Sequence, residues 1–302
     1  MRAIPADLEV VMAEPLLAHF YDAATSTFTH VVGCPLTGRA AVIDPVLDFD
    51  PRSACTSGES AERVLAFLAD ERLTLEWVLE THVHADHLSA AEYLRSRRGG
   101  RIAIGAEVRA VQRVFVDLFG LRGRVAADGS QFDRLWRDGE RFALGSLDVR
   151  VLATPGHTCD SVTYLIGRHA FVGDTIFRAS YGTARCDFPG GDADALYGSI
   201  SRLYALPADT VLHFCHDYPP VGHEPVESQT VAEERARNVH VTAATSREQF
   251  TTLRRSRDAA LPVPALLIPA VQVNIAAGRL PVPDSDGRSY LRMPLNSLRA
   301  GS

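Results

Sequence analysis

Short apolar stretches rich in β-branched residues alternate with amphipathic stretches through much of the chain. The short stretches have the composition of buried strands, whereas the longer ones repeat apolar residues at helical spacing. Strands are predicted at 28–34, 40–43, 75–80 and 102–104, and helices at 58–71, 88–97 and 107–118. Alternation of this kind is typical of a layered α/β fold.

After Gly120 the pattern changes to polar turns followed by short strands. Asp128-Gly129 and Asp138-Gly139 are dipeptides that commonly join the strands of a hairpin. Further strands are predicted at 147–152, 162–166, 170–172 and 210–214, and one further helix at 193–204. The second half of the pattern therefore predicts successive hairpins with a single helix among them.

From about Glu224 onward the composition differs from that of the preceding chain. A charged helical stretch is predicted through Arg257, and a proline-rich tail follows that contains the apolar run 266–275. Since apolar runs need covering, we expect a C-terminal extension at 224–302 packed on a main domain at 15–223. The apolar tail could contribute to a homodimer interface as easily as cover its own domain.

The overall composition excludes several classes of protein. The chain has 302 residues, of which 46% are hydrophobic and 23% charged, as in an ordinary globular protein. Its net charge of -6 provides no basic field for nucleic acid or an anionic membrane. All 31 basic residues are arginine, which excludes Schiff-base, P-loop and general-base chemistry that needs lysine.

The cysteines and the N-terminal segment predict a cytoplasmic protein. Five cysteines without a CxxC pair do not form a disulfide framework and fit a reducing compartment. Acidic residues and Pro15 interrupt the apolar letters of the first twenty residues, so neither a signal sequence nor a membrane span is expected there. No later run reaches the roughly 18 apolar residues that a spanning helix needs.

The segment 81–87, with the sequence THVHADH, follows the predicted strand 75–80 directly. It contains four potential metal ligands, His82, His84, Asp86 and His87. Structural zinc sites are usually rich in cysteine, whereas imidazole and carboxylate ligands leave a metal Lewis-acidic and often open to a substrate. The segment therefore predicts a catalytic metal site.

Three further ligand candidates also come shortly after predicted strands. His157 lies in the sequence TPGHT, Asp174 in GDT and His216 in CHDY. Loops after strands are where α/β scaffolds place functional residues, so we expect these side chains to join the 81–87 segment.

The order HxHxDH, then His157, Asp174 and His216, resembles the metallo-β-lactamase superfamily. The resemblance implies an αββα sandwich with a metal site at one edge between two sheets, and makes 15–223 the catalytic domain. It also implies two metal positions that share Asp174. The ligands would be His82, His84, His157 and Asp174 at the first position, and Asp86, His87, Asp174 and His216 at the second.

Within the superfamily, 81–91 and 184–188 resemble the branch that contains persulfide dioxygenases and glyoxalase II. The stretches 233–238, 272–275 and 291–296 are similar to bacterial β-lactamase-like hydrolases that act in sulfide detoxification. This resemblance implies one Fe(II) per chain, held by the equivalents of His82, His157 and Asp174. The implied reaction takes glutathione persulfide, dioxygen and water to sulfite and glutathione.

Two other functions are compatible with the same residues. A dinuclear zinc or iron thioesterase of the glyoxalase II kind would use all seven ligands, although glyoxalase II commonly holds glutathione with basic residues that include lysine. A catalytically idle binding or sulfur-sensing module is the third reading, and the complete ligand set argues against it.

Candidate substrate contacts lie near these motifs. Arg185 offers a planar fork for a substrate carboxylate, but it could equally form an ion pair with Asp187, which could instead orient a ligand histidine. Tyr218 and Arg237 are further candidates for the glutathione site. Three cysteines could carry a persulfide, but the favoured interpretation is that they are small buried apolar residues. These are Cys159, Cys186 and Cys215.

Overall fold

The computed structural model describes residues 14–297 of the chain. The expectation for the first twenty residues falls mostly on 1–13, which lie outside the described residues, as do the last five residues of the predicted extension. Within the described range, none of the helices combines the length and the apolar character that crossing a bilayer would require.

Fifteen strands and seven helices make up the described part of the chain. The strands are β1 (Leu16–Asp22), β2 (Thr27–Gly33), β3 (Arg39–Ile43), β4 (Val46–Asp50), β5 (Cys55–Ser57), β6 (Thr74–Leu79), β7 (Leu88–Ser89), β8 (Arg101–Gly105), β9 (Arg134–Trp136), β10 (Arg141–Leu144), β11 (Leu147–Ala153), β12 (Val162–Ile166), β13 (His169–Phe171), β14 (Val211–His213) and β15 (Ser228–Thr230). The helices are α1 (Glu59–Asp70), α2 (Ala91–Arg98), α3 (Val108–Leu118), α4 (Ala193–Tyr204), α5 (Val231–Arg237), α6 (Arg247–Asp258) and α7 (Leu267–Asn274).

Two six-stranded sheets contain most of these strands. The first has the order β1-β2-β3-β6-β8-β9, antiparallel from β1 to β3 and parallel from β3 to β9. The second has the order β10-β11-β12-β13-β14-β15, antiparallel except for the parallel pair β13 and β14. Each parallel pair in the first sheet needs a crossover connection, which α1, α2 and α3 supply.

The two sheets face each other across a shared apolar layer, in which Ile43 and Leu79 of the first sheet meet Val151 and Tyr164 of the second. Helices α1, α2, α3 and α7 cover the outer face of the first sheet, and α4 and α6 cover the second. The architecture is therefore an αββα sandwich, as the motif order implies.

The predicted helix 88–97 differs from the structure at its start. Leu88 and Ser89 form the short strand β7, which pairs with Val46 and Leu47 of β4, and the helix begins only at Ala91. The apolar and small residues of this segment are compatible with a strand or a helix. Pairing with the distant strand β4 makes Leu88 and Ser89 a strand.

The charged stretch 224–257 contains two helices rather than one. Asn238 adopts an extended conformation at the end of α5, and its side chain donates a hydrogen bond to Gly182 O at 3.1 Å. Ser246 then begins α6 with a reciprocal capping box to Gln249. The contact to another loop and the new cap explain the break.

The apolar run 266–275 forms α7, which packs against β7 and buries Val271 and Val273 in the layer outside the first sheet. Beyond it the tail exposes apolar side chains, among them Val282 and Met293. The homodimer stays a prediction.

Candidate metal centre

The ligand-bearing loops all start at carboxyl ends of strands along one edge of the sandwich. The 81–87 loop follows β6 of the first sheet, and His157, Asp174 and His216 follow β11, β13 and β14 of the second. Since β11, β13 and β14 run in the same direction, their carboxyl ends meet at one edge. All seven predicted ligands therefore converge there.

His82, His157 and Asp174 form one group, whose ligand atoms all lie within 4.8 Å of one another. The Asp174 Oδ2 atom is 3.8 Å from His82 Nε2 and 3.6 Å from His157 Nε2. These separations exceed those of hydrogen bonds, but two ligands of a common metal ion can lie this far apart. The three side chains are buried.

A second group contains His84, Asp86, His87 and His216, again within 4.8 Å. The Asp86 Oδ2 atom lies 3.0 Å from His216 Nε2 and 3.5 Å from His87 Nδ1. Asp174 Oδ1 is 3.4 Å from His216 Nε2, so Asp174 faces the two groups with different oxygens.

His84, which the resemblance assigns to the first position, lies between the two groups. Its ring centroid is 4.0 Å from that of His82 and 4.2 Å from that of His87.

Two of the histidines are oriented by carbonyl oxygens. His157 donates its Nδ1 hydrogen to Arg185 O at 2.7 Å, and His216 donates its Nδ1 hydrogen to Ser26 O at 3.0 Å. Each bond turns the Nε2 atom of the ring toward the carboxylates, which is the orientation that a metal ligand needs.

The buried Asp44 carboxylate lies beside His84 and orients His82 through Thr81. Its Oδ1 accepts from the Thr81 amide at 2.7 Å and lies 3.0 Å from His84 Nε2. Its Oδ2 accepts from the Thr81 hydroxyl at 2.8 Å, and the same hydroxyl oxygen accepts from His82 Nδ1 at 3.0 Å. Burial, together with the charge of Asp44, raises the pKa of the neighbouring Glu80 carboxyl.

Many buried polar atoms of the cluster have no hydrogen-bond partner. Buried polar groups are normally satisfied, so such a concentration points to a bound group. The atoms are His82 Nε2, both ring nitrogens of His84 and of His87, Asp174 Oδ1 and His216 Nε2. Their nitrogen and carboxylate character fits a divalent transition metal.

Burial and neighbouring charges act differently on the members of the cluster. Burial and the neighbouring histidines hold the pKa of His82 and of His84 well below the ordinary value, which keeps both imidazoles neutral and able to bind a metal. Burial opposes a charge on His216, but the carboxylates of Asp174 and Asp86 raise its pKa to about 10. Burial raises the pKa of Asp174 despite the nearby histidines.

The C-terminal segment holds the 81–87 loop in place through Asn274 at the end of α7. Its Nδ2 donates to both His84 O and His87 O at 2.8 Å, and its Oδ1 accepts from the Ser89 amide at 2.8 Å. One buried side chain thus satisfies three backbone groups of the ligand segment.

Arg185 forms an ion pair with Asp187, which was the alternative to a contact with the substrate. Its Nε and Nη2 donate to the two oxygens of Asp187 at 2.6 and 2.7 Å, and its Nη1 donates to Pro262 O at 2.6 Å. Asp187 therefore pairs with Arg185 and is not seen to orient a ligand histidine within the described residues.

Of the other two substrate candidates, Tyr218 lies beside the cluster and Arg237 does not. The Tyr218 ring stacks on that of His216 with centroids 6.1 Å apart, and its side chain remains partly exposed. Burial and the carboxylates of Asp174 and Asp86 raise the pKa of the Tyr218 hydroxyl. Arg237 is exposed at the end of α5, where its charge acts on Glu233.

The cysteines near the motifs are poorly suited to carry a persulfide. Burial raises the pKa of Cys159 to about 11, and it also raises the pKa of Cys186 and of Cys215. A thiolate is the reactive form, so these environments favour the interpretation as small apolar residues, of which Cys186 and Cys215 are buried and Cys159 is half-buried.

Sequence reasoning missed Asp44 and Asn274. Asp44 had the same signal as the predicted ligands, since it directly follows a strand and precedes a proline. Asn274 is a polar residue within the apolar run 266–275, and a buried polar side chain in such a run commonly has a specific partner.

Comparisons with known proteins agree with this geometry. The sequence profile of the metallo-beta-lactamase superfamily matches residues 25–216. The chain is 48% identical to a "Probable metallo-hydrolase" of Burkholderia pseudomallei (strain 1710b), over 92% of this chain and 98% of that protein. It is 30% identical to the mitochondrial persulfide dioxygenase ETHE1 of Homo sapiens, over 87% of this chain and 89% of that protein.

Among solved structures, ETHE1 from Myxococcus xanthus is similar, with a TM-score of 0.71 and 33% identity. The alignment covers 87% of this chain and 100% of that one. The profile match, the sandwich and the ligand order agree, and the chain belongs to the metallo-β-lactamase superfamily of metal-dependent enzymes. Within it, the persulfide dioxygenase ETHE1 and the probable metallo-hydrolase of Burkholderia pseudomallei are two of the proteins that the chain resembles.

We expect Asp44→Asn to weaken metal binding by about 10- to 100-fold, because His84 loses the carboxylate beside its Nε2. The measurement is metal retained against a competing chelator. Asp48→Asn is the control, since the Asp48 carboxylate also accepts backbone and hydroxyl hydrogens but from Ser60, away from the histidines. Equal metal affinity in a folded Asp44→Asn protein would contradict the role of this carboxylate.

We expect Asn274→Ala to speed metal loss and to lower the free energy of unfolding by several kcal/mol, since each stranded buried backbone group costs about 1–3 kcal/mol. Gln272→Ala is the matched control. The Gln272 amide is also buried on α7, but it bonds Ile268 and Arg292 instead of the ligand loop. If both variants lost metal at the same rate in chelator, Asn274 would have no particular role in holding the loop.

Proposed function

We propose that this protein is a persulfide dioxygenase with one Fe(II) per chain. It would oxidise glutathione persulfide with dioxygen and water to sulfite and glutathione. A cytoplasmic reaction agrees with the absence of disulfides, because all five cysteines are free.

The grouping of His82, His157 and Asp174 carries the proposal. Two imidazoles and one carboxylate converge from three loops, which is the ligand set of non-haem iron oxygenases. An Fe(II) ion held there supplies open coordination positions and the redox chemistry that dioxygen needs. The similarity to ETHE1 across most of the chain supports the same assignment.

A cavity that Phe188 separates from this group suits a tripeptide thiol. Its volume is about 690 Å³, within the range of about 300–1,000 Å³ that is common for small-molecule sites. One wall comes from residues 185–189 and the other from the α6–α7 connection, including Leu261 and Pro264. The cavity therefore lies between the catalytic domain and the C-terminal segment.

Phe188 separates the cavity from the metal ligands. Its ring lines the cavity and also a small space beside His157, whose ring it meets edge-on with centroids 5.2 Å apart. A persulfide in the cavity would pass this ring to bring its outer sulfur to the ligand cluster. Apolar walls there would also limit water around the reacting sulfur.

Arg185 links the cavity wall to the ligands. Its side chain joins Asp187 to Pro262 across the cavity wall, while its carbonyl oxygen orients His157. A substrate carboxylate that reached the guanidinium would have to compete with Asp187. We therefore assign Arg185 and Asp187 a positioning role, and Tyr218 remains the substrate contact that its place beside His216 supports.

A dinuclear thioester hydrolase of the glyoxalase II kind is the second candidate. The observation that favours it is Asp174, which directs one oxygen to each ligand group and could bridge two metals. Two metals can activate a shared hydroxide for attack on a carbonyl. The relative at 48% identity also bears the name of a hydrolase.

Metal analysis together with oxygen uptake tests the proposal. Anaerobically purified protein should contain one iron per chain and consume oxygen only when glutathione persulfide is present, with sulfite as product. S-D-lactoylglutathione serves as the alternative substrate. Two tightly bound metals per chain with rapid hydrolysis of this thioester and no oxygen uptake would overturn the dioxygenase assignment.

A pair of alanine variants separates the two ligand groups. His82→Ala should lower iron content at least about 10-fold and abolish oxygen uptake, because it removes a ligand of the iron group. His87→Ala removes an equally buried imidazole from the second group and should retain iron. Equal metal loss in the two variants would support a dinuclear centre instead.

A further inference from the structure

A second histidine cluster lies outside the metal centre, where the two sheets approach each other. It contains His19 on β1, His30 on β2, His169 on β13 and His213 on β14. His213 precedes the ligand His216 by three residues, or about 10 Å of extended chain. None of these four side chains has a part in the function proposed above.

Hydrogen bonds fix the protonation of the first pair. His30 Nε2 lies 3.0 Å from Phe214 O and must donate to it, since a carbonyl only accepts. The other nitrogen of neutral His30 then accepts from His19 Nδ1, 2.8 Å away. His19 Nε2 consequently carries no hydrogen and has a free lone pair.

Hydrogen bonds also fix the protonation of the second pair, His169 and His213. His169 Nε2 faces the Glu14 carboxylate at 3.4 Å and donates to it, so His169 Nδ1 accepts from His213 Nε2 at 3.0 Å. The remaining Nδ1 of His213 is an unprotonated nitrogen, buried and without a partner among the described residues. A buried lone pair of this kind is costly unless something occupies it.

We propose that His19, His30 and His213 form a second metal site, which takes a divalent transition-metal ion such as Zn²⁺. One nitrogen from each ring lies within 4.8 Å of the other two. On binding, the proton that His19 and His30 share moves to Nε2 of His19, so no ligand has to become charged.

The residues around the three rings favour metal binding. Phe171 stacks on the His213 ring with centroids 4.7 Å apart and planes 15° apart, which fixes the ring before any ion arrives. Burial holds the pKa of His30 at about 3 and lowers that of His19, which keeps both neutral. Glu227 acts electrostatically on His19 and adds negative charge beside the cluster.

Imidazole nitrogens suit zinc, copper and nickel, whereas calcium and magnesium prefer oxygen ligands. His19 is only half-buried, and this leaves an entry path from the solvent. Because β1 and β2 belong to the first sheet and β14 to the second, an ion here would join the two sheets. The site is thus structural in character and independent of the proposed dioxygenase activity.

Zinc titration of chelator-stripped full-length protein tests the site. We expect the wild type to bind one more tight Zn²⁺ equivalent than His19→Gln, measured against a chromophoric chelator. His223→Gln is the matched control, since His223 is an exposed histidine outside the cluster, and it should bind as many equivalents as the wild type. Saturating Zn²⁺ should also raise the melting temperature of the wild type more than that of His19→Gln.

Equal numbers of tight zinc equivalents in the wild type and in His19→Gln would overturn the proposal. So would an equal loss in His223→Gln. His19 is half-exposed, so its replacement leaves the core intact, and circular dichroism checks that the variant is folded. The readouts are zinc stoichiometry and melting temperature, neither of which measures oxygen uptake. A negative result would overturn the zinc site without affecting the dioxygenase assignment, and a failed dioxygenase assay would not affect the zinc site.

Discussion

The metal centre depends on one buried carboxylate that is not itself among its predicted ligands. Asp44 directly follows β3 and has a positive φ of 50°, a conformation that non-glycine residues rarely adopt. That geometry brings both its oxygens to Thr81, and through the Thr81 hydroxyl to His82, while His84 lies directly beside it. One anion therefore orients His82 through Thr81 and lies directly beside His84, and its burial makes each interaction stronger than it would be in water.

The extension beyond the family domain completes the same loop from its other side. A loop that turns inward to present imidazoles also buries its own backbone groups, and these need partners. Asn274 supplies them for His84, His87 and Ser89. The segment after the sandwich is thus part of the support of the ligands, and it also forms a wall of the cavity. Helix α7 therefore supports the ligand loop through Asn274, while the α6–α7 connection before it lines the cavity.

The sequence predicted which candidate ligands would converge better than it predicted the residues that support them. Each ligand stands in a short motif after an apolar strand, and strand ends converge wherever strands run in the same direction. The partners of those ligands come from distant positions: Ser26 for His216, Arg185 O for His157 and Asn274 for the loop itself. The local sequence pattern can mark a residue as having a partner, as it does for Asn274, but it does not identify that partner. The same limit accounts for the short strand β7, which exists only through its pairing with β4.

The two ligand groups differ in how their charged atoms are paired. In the second group, His216 lies 3.0 Å from Asp86, so an imidazolium and a carboxylate can neutralise each other there without a metal. In the first group, the Asp174 oxygen lies 3.6 Å and 3.8 Å from the two histidine nitrogens, too far for hydrogen bonds. The first group is left with facing lone pairs and no proton between them, and a cation is the partner that such an arrangement requires. In the second group, the ring nitrogens of His84 and His87 also lack hydrogen-bond partners, so both groups offer buried donor atoms to a metal ion.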